Sequence, residues 1–432
     1  MTRPQNDRAT RVLIVSGEIG QGHEAVARAV QTTVTRDRPD CDVRVAEAFT
    51  RMGHGSGPVF RWLFEFAVQW TPMLQEAWYA AVTHSRLVRW FYREVMGAWV
   101  ARALEDDLAG EPTDVVVSTH QLATAGLAWL RRRGMLDARI VAAVCDFAPH
   151  AYWTYSGVDE YLVLDDLARE PTRAMDPGAG VTVRSPLVGA PFGPVDDDTA
   201  REARTELALP EDALVVVVTA GSLGLGGVAG AVRAALAAHP RCHVVAICGR
   251  DERARTRLRA LQSQMGGSAA GDSEAGGSEA GGSEAGAERL HVPDWVDDVP
   301  TLLAAADVVV NNSGGATAQE ALACGRTLVI YQPLPGHGRD SARLLSAAGL
   351  ARTCRRPRDL TALLRSWIVD PAALSAAHAR AARWSQDHAR VDLAAVLGLP
   401  AAAPEPAQPA APTEPSRDGD DEIPPRLVGS LR

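Results

Sequence analysis

A chain of 432 residues is too long for one ordinary core and predicts two domains of about 150–200 residues each. Hydrophobic residues make up 46% and charged residues 22%, the balance of a soluble globular protein, and a net charge of −9 offers no broad basic field to nucleic acid. All 44 basic side chains are arginine, which excludes Schiff-base and P-loop lysine chemistry. Six cysteines (Cys41, Cys145, Cys242, Cys248, Cys324 and Cys354) form no CxxC pair and read as small core residues rather than a zinc or redox site. The polar N-terminus lacks a signal-peptide pattern, and no apolar run reaches the roughly 18–20 residues that span a bilayer. The expectation is a cytoplasmic protein that can still touch the inner face of the cell membrane.

In chain order, RVLIVS (Arg11–Ser16) predicts a strand, His23–Val34 a helix and DVRVAEAF (Asp42–Phe49) a second strand. DVVVST (Asp114–Thr119), RIVAAVCD (Arg139–Asp146) and EYLVLDD (Glu160–Asp166) follow as buried parallel strands with helices between them. The turn-rich GAPFGPVDDD (Gly189–Asp198) marks a domain boundary. A second set comprises ALVVVVTAG (Ala213–Gly221), HVVAICG (His243–Gly249), DVVVNNSG (Asp307–Gly314) and TLVIYQP (Thr327–Pro333). This is an α/β chain of two doubly wound, Rossmann-like domains, 11–190 and 205–398, facing each other across a cleft. SEAGG near-repeats over 266–287 predict a flexible insertion, and the Ala-, Pro- and acid-rich stretch 400–432 a disordered tail.

Five of the ten Trp (Trp62, Trp70, Trp78, Trp90 and Trp99) crowd between Pro58 and Arg102, interleaved with Arg61, Arg86, Arg89, Arg93 and Arg102. At helical spacing they suit either a membrane interface or simple packing on the first sheet. The first strand runs into SGEIGQGHEAVARA, whose Gly17, Gly20 and Gly22 let backbone approach a ligand where a helix N-terminus favours negative charge. The spacing G-x-x-G-x-G is not the dinucleotide fingerprint, which counts against a nicotinamide enzyme. His23 sits at that strand–loop–helix corner and can act as a general base. His120, Asp146, His150 and Trp153 follow other strands on the same edge and, with Gly20 and Gly22, are assigned to the acceptor side of the cleft; singly, each is as readily structural. A formal DxD, Asp40-Cys41-Asp42, precedes a strand of the first domain and is incidental, so no metal ligand is assigned.

In the second domain, TAGSLGLGG (Thr219–Gly227) is a glycine-rich turn able to cradle a diphosphate; Gly221, Ser222 and Arg250 are assigned to the donor side. The stronger signal is NNSGGATAQEALACG, Asn311–Gly325. There Ser313, Gly314, Gly315, Ala316 and Thr317 turn a strand into a helix, and Glu320 one turn on can accept hydrogen bonds from ribose hydroxyls. PLPGHGRDS (Pro333–Ser341) loops out after the next strand.

Together these motifs resemble the GT-B glycosyltransferases related to monogalactosyldiacylglycerol synthases and processive diacylglycerol glucosyltransferases (family 28-like), and more distantly the peptidoglycan N-acetylglucosaminyltransferase. The resemblance spans roughly Arg11 to Arg352 without the repeat insertion, with its motifs in family order. It implies a GT-B fold and an inverting, metal-independent hexosyltransferase with no cofactor beyond a nucleotide-sugar co-substrate, UDP-linked by preference. The acceptor it implies is lipid-like, such as diacylglycerol. It further implies that His23 is the base, that Gly314 to Thr317 meet the diphosphate, that Glu320 holds the ribose, and that Asp294-Trp295-Val296 flank the uracil. The aromatic segment would be the membrane- and acceptor-facing region. Where the family continues PLPG with Gln, Glu and Asn, this chain has His337, Gly338 and Ser341, side chains expected at the sugar. An epimerase or hydrolase of the same fold, or a non-catalytic nucleotide-sugar-binding protein, stays open at this level.

Overall fold

The computed structural model describes residues 8–17, 21–53, 55–110, 112–184, 186–267, 289–388 and 391–401. Gly20, nearly all of the SEAGG insertion and the tail from 402 onward lie outside the described residues. Six parallel strands form the first sheet: β1 (Arg11–Ser16), β2 (Asp42–Glu47), β3 (Val115–Ser118), β4 (Arg139–Ala143), β5 (Glu160–Val163) and β6 (Gly180–Val183). Their order is β2-β1-β3-β4-β5-β6. The second sheet contains β7 (Leu214–Thr219), β8 (Cys242–Ile247), β9 (Leu290–His291), β10 (Val308–Asn311), β11 (Thr327–Tyr331) and β12 (Ala351–Cys354) in the order β12-β11-β10-β7-β8-β9, again all parallel. This is the doubly wound α/β architecture expected from the alternation of apolar runs and helical patterns.

Strands β6, β9 and β12 are additions to the sequence reading. They are short and include the outer strand at three of the four sheet edges, where one flank is unpaired and the apolar run is weak. The second strand is shorter than its apolar run: Ala48 and Phe49 open a short helix instead, because the Glu47 carboxylate caps it, accepting the Thr50 N–H at 2.7 Å.

β7 reads LVVVVT and is buried along its whole length, as a central parallel strand must be. Its alternate residues serve two cores. Val215 and Val217 join a core that extends into the first sheet, whereas Val216 and Val218 pack against helices on the far side. The described residues up to Pro400 accordingly form one unit. Gln319 pins the halves: fully buried, it accepts the Leu187 N–H at 3.0 Å and donates to the Cys145 carbonyl at 3.3 Å. The helix Pro371–His388 crosses back as well, with Trp384 against Phe147 and its indole N–H donating to Asp165 at 3.2 Å.

Between β2 and β3 the chain builds a set of helices, among them Ser56–Trp70, Pro72–His84 and Arg86–Phe91. Phe60, Tyr79 and Tyr92 face inward, on Phe49 and Tyr152. Trp62, Trp70, Trp78, Trp90 and Trp99 are all exposed, as are Met73, Leu74 and Leu87. The packing reading of this segment thus holds for its inner aromatics, while the five tryptophans lie on the outer surface. Among the described residues no helix is long and apolar enough to cross a membrane.

Candidate functional site

Each sheet reverses its winding once, between β1 and β3 and between β7 and β10. At such switch points the loops leaving neighbouring strands diverge and open a crevice at the carboxyl edge. The two crevices face each other, and together they form a cleft of about 430 Å³.

On the first side, β1 leads to the helix Gln21–Asp37 and β3 leads to Thr119 and His120. His23 bridges the two: its Nδ1–H donates to the Thr119 carbonyl at 2.7 Å, and the Thr119 hydroxyl donates back to the His23 carbonyl at 3.1 Å. That bond places the proton on Nδ1 and leaves Nε2 as the lone-pair nitrogen of a ring lining the cleft. Burial lowers the His23 pKa below its ordinary value of 6.5, with Asp146 opposing, so the ring is a neutral base.

His120 also borders the cleft but has a structural task. It is buried in ring contact with His23 and Phe49, and its Nδ1 caps the helix Gln121–Arg132 by accepting the Leu122 N–H at 3.2 Å. Asp146 lines the cleft with its carboxylate held by two donors, Trp153 Nε1–H at 2.9 Å and His150 Nε2–H at 3.2 Å. Burial alone would raise its pKa, but the His150 bond, the neighbouring His337 and the Trp153 bond outweigh this and keep it below the usual carboxylate range. Contrary to the sequence reading, His150 and Trp153 are not cleft residues themselves. They are buried behind Asp146 and orient it.

On the second side, Gly221 and Ser222 follow β7, and Ser313, Gly315, Ala316 and Thr317 lead from β10 into the helix Ala316–Ala323; all line the cleft. This helix and the one beginning at Gln21 both aim their N-termini inward. The Gln21 N–H donates to Ser222 Oγ at 3.1 Å across the cleft, and an added Cβ on Gly22 would lie 3.4 Å from the Ala316 Cβ. Two positive helix ends at one place favour an anion such as a diphosphate. Glu320 lines the wall one turn along, and burial pushes its pKa up to about 7. Trp295 and Val296 complete that side, beside Asp294, which pairs with Arg259 at 2.8 Å.

Two donor-side assignments need correction. Arg250 is exposed and does not line the cleft; only its backbone N–H takes part, donating to the Ser222 carbonyl at 3.0 Å. Gly314 packs away from the cleft, where a Cβ would come within 2.6 Å of the Ser341 Cβ. The departures after PLPG also divide. His337 lines the cleft. Ser341 is buried, with its hydroxyl accepting the Ala148 N–H at 3.3 Å, and a Cβ at Gly338 would sit 2.9 Å from the Leu334 Cβ. Neither of these two reaches the cleft.

Arg28 and Phe64 line the cleft without having been anticipated. Arg28 was legible: residues 21, 25 and 28 share one helix face by spacing, and all three border the cleft. Phe64 was not, because nothing local fixes how its helix swings over the edge of the sheet.

The family model described as monogalactosyldiacylglycerol (MGDG) synthase matches residues 23–176. A processive diacylglycerol beta-glucosyltransferase of Bacillus cereus is 21% identical over 369 residues, covering 83% of this chain and 86% of that one. Among solved structures, the glycotransferase of kitacinnamycin superposes with a TM-score of 0.53 at 17% identity, covering 91% of this chain and all of the other. Medicago truncatula UGT71G1 complexed with UDP-glucose gives 0.54 at 11% identity, covering 90% and 97%. The chain is a GT-B glycosyltransferase. It is related to the galactosyl- and glucosyldiacylglycerol-forming enzymes whose motifs its sequence resembles. In this glycosyltransferase the two sheets are the two halves of the GT-B fold, and the cleft lies between them.

Proposed function

We propose that the protein transfers a hexose from a UDP-sugar to the hydroxyl of a diacylglycerol-like acceptor, with inversion at the anomeric carbon and without a metal ion. The observation that carries this reading is His23, locked by Thr119 with Nε2 free, in a cleft whose opposite wall presents a second helix N-terminus. In the proposed step Nε2 takes the acceptor proton as the hydroxyl oxygen bonds to the anomeric carbon, and the sugar–phosphate bond breaks on the opposite face. The diphosphate leaves toward the amides of Ser313 to Thr317 and the helix end at Ala316, preorganised for that charge. Glu320 accepts hydrogen bonds from the ribose hydroxyls, and Trp295 borders the base. Asp146 faces the imidazolium that forms on His23 and offsets its charge.

The same reading makes the exposed tryptophans a membrane contact on the inner leaflet. Trp side chains with flanking Arg suit the headgroup boundary, where the acceptor's hydroxyl is displayed. His23→Ala tests the reaction directly. Transfer should fall by about 10²–10⁴-fold, the usual contribution of a general base, while UDP binding by thermal shift is kept. Turnover near that of the unmodified protein would overturn the base assignment. Anomeric configuration of the product by NMR tests inversion, and undiminished turnover in EDTA tests metal independence. UDP-sugar incubated alone should yield neither epimer nor free sugar as the main product.

A further inference from the structure

The helix Pro72–His84 reaches from the first half of the molecule onto the PLPG loop of the second. Glu76 accepts the Gly336 backbone N–H at 2.8 Å and pairs with Arg339 at 3.1 Å. One turn on, the buried Tyr79 donates its hydroxyl to Asp340 at 2.8 Å and lays its ring against Gly336. Gly336 has φ +72° and no room for a Cβ, which would stand 2.9 Å from Tyr79 Cγ, so the loop is shaped to receive this ring. The residue held immediately after it is His337, first in the helix His337–Ala347 and the only one of the three altered family positions that lines the cleft. Tyr79 also contacts the His150 ring that orients Asp146.

We propose that Glu76 and Tyr79 are positioning residues for the donor sugar: they fix the Gly336–Asp340 turn so that His337 meets the hexose, while taking no part in holding the nucleotide. The inference rests on the nucleotide-sugar reading above. It assigns donor-sugar recognition partly to the helix that also carries the exposed Met73, Leu74 and Trp78. Loosening the clamp leaves the helix ends, Glu320 and Trp295 untouched, so UDP affinity stays while affinity for a UDP-hexose falls.

The test is calorimetric titration of UDP, UDP-glucose and UDP-galactose into the full chain and its variants. In Glu76→Ala the Kd for the UDP-hexose that the unmodified protein binds should rise about tenfold, with the UDP Kd changed less than about twofold. In Tyr79→Phe the rise should be about threefold. Glu76→Gln, whose amide oxygen can still accept the Gly336 N–H, should recover much of the loss. UDP and UDP-hexose affinities that move together, or that both stay put, would overturn the proposal. Should Glu76→Ala fail to fold, Tyr79→Phe, which removes a single oxygen, decides the matter alone. An unmodified protein that binds none of the three nucleotides would instead remove the nucleotide-sugar reading itself.

Discussion

The two halves of the molecule are built on the same plan, yet they treat their surfaces differently. Both wind six parallel strands around one switch point. Among the described residues, the second half exposes only Trp295 and Val369 of its large hydrophobic side chains, and Trp295 borders the cleft. The first half exposes a band running from Val59 to Trp99, carried entirely by the helices inserted between β2 and β3. Exposed apolar side chains gathered on one set of helices are what a surface for a membrane or partner requires. The second half instead concentrates small residues and one half-buried acid at a helix end. In the function proposed above, the first surface serves an apolar acceptor and the second a charged donor, with the cleft between the two switch points.

The sharpest way to break this comparison is to charge the band. Trp62→Asp combined with Trp70→Asp should reduce co-sedimentation with vesicles of phosphatidylglycerol and phosphatidylcholine by about 10–100-fold, from lost apolar burial, and leave UDP affinity unchanged. A parallel loss of UDP binding would mean that the halves do not divide the work. Gln319→Ala addresses the seam: it strands the buried Leu187 N–H and Cys145 carbonyl. A loss of about 1–3 kcal/mol in denaturant-unfolding stability is expected. Two separate unfolding transitions would show that the halves are less coupled than the shared core implies.

The acid in the donor wall gives a smaller, pH-dependent effect. Burial raises the Glu320 pKa to about 7 in the folded chain, against an ordinary value of 4.5. Its contribution to stability is therefore fully present below 4.5 and is lost as pH rises through about 7. Glu320→Gln should thus be the more stable form at pH 8, by about 1–3 kcal/mol at most, and equal to the unmodified protein near pH 4. If ribose hydroxyls donate to the ionised carboxylate as proposed, UDP binding at pH 7 should release a fraction of a proton, seen as a dependence of the calorimetric enthalpy on buffer ionisation. Glu320→Gln should abolish that dependence; its persistence would place the proton elsewhere. On the opposite wall, the acid limb of kcat/KM should fall below the ordinary histidine value of 6.5, because His23 is lowered by burial.

Much of this was determined by sequence alone. Short β-branched runs such as LVVVVT between turn signals read as buried parallel strands, and small-residue turns between a strand and a helix are suited to phosphate or to close packing. The placement of His23 and Glu320 at the cleft followed from the strand–loop–helix corners they belong to. The tertiary structure decided what local pattern cannot encode. It separated Asp146, which lines the cleft, from His150 and Trp153, which hold it, because that depends on which way three neighbouring side chains turn once β4 is packed. It turned Ser341 and Gly314 onto each other and away from the cleft, and left His337 as the one departure after PLPG that lines it. It split the aromatic helices into an inner and an outer face, and it brought Glu76 and Tyr79 to a loop some 260 residues further along the chain. The physical reason is common to all of these. Periodicity and turn chemistry act over a few residues, whereas the direction of a side chain at a seam is set by partners distant in sequence.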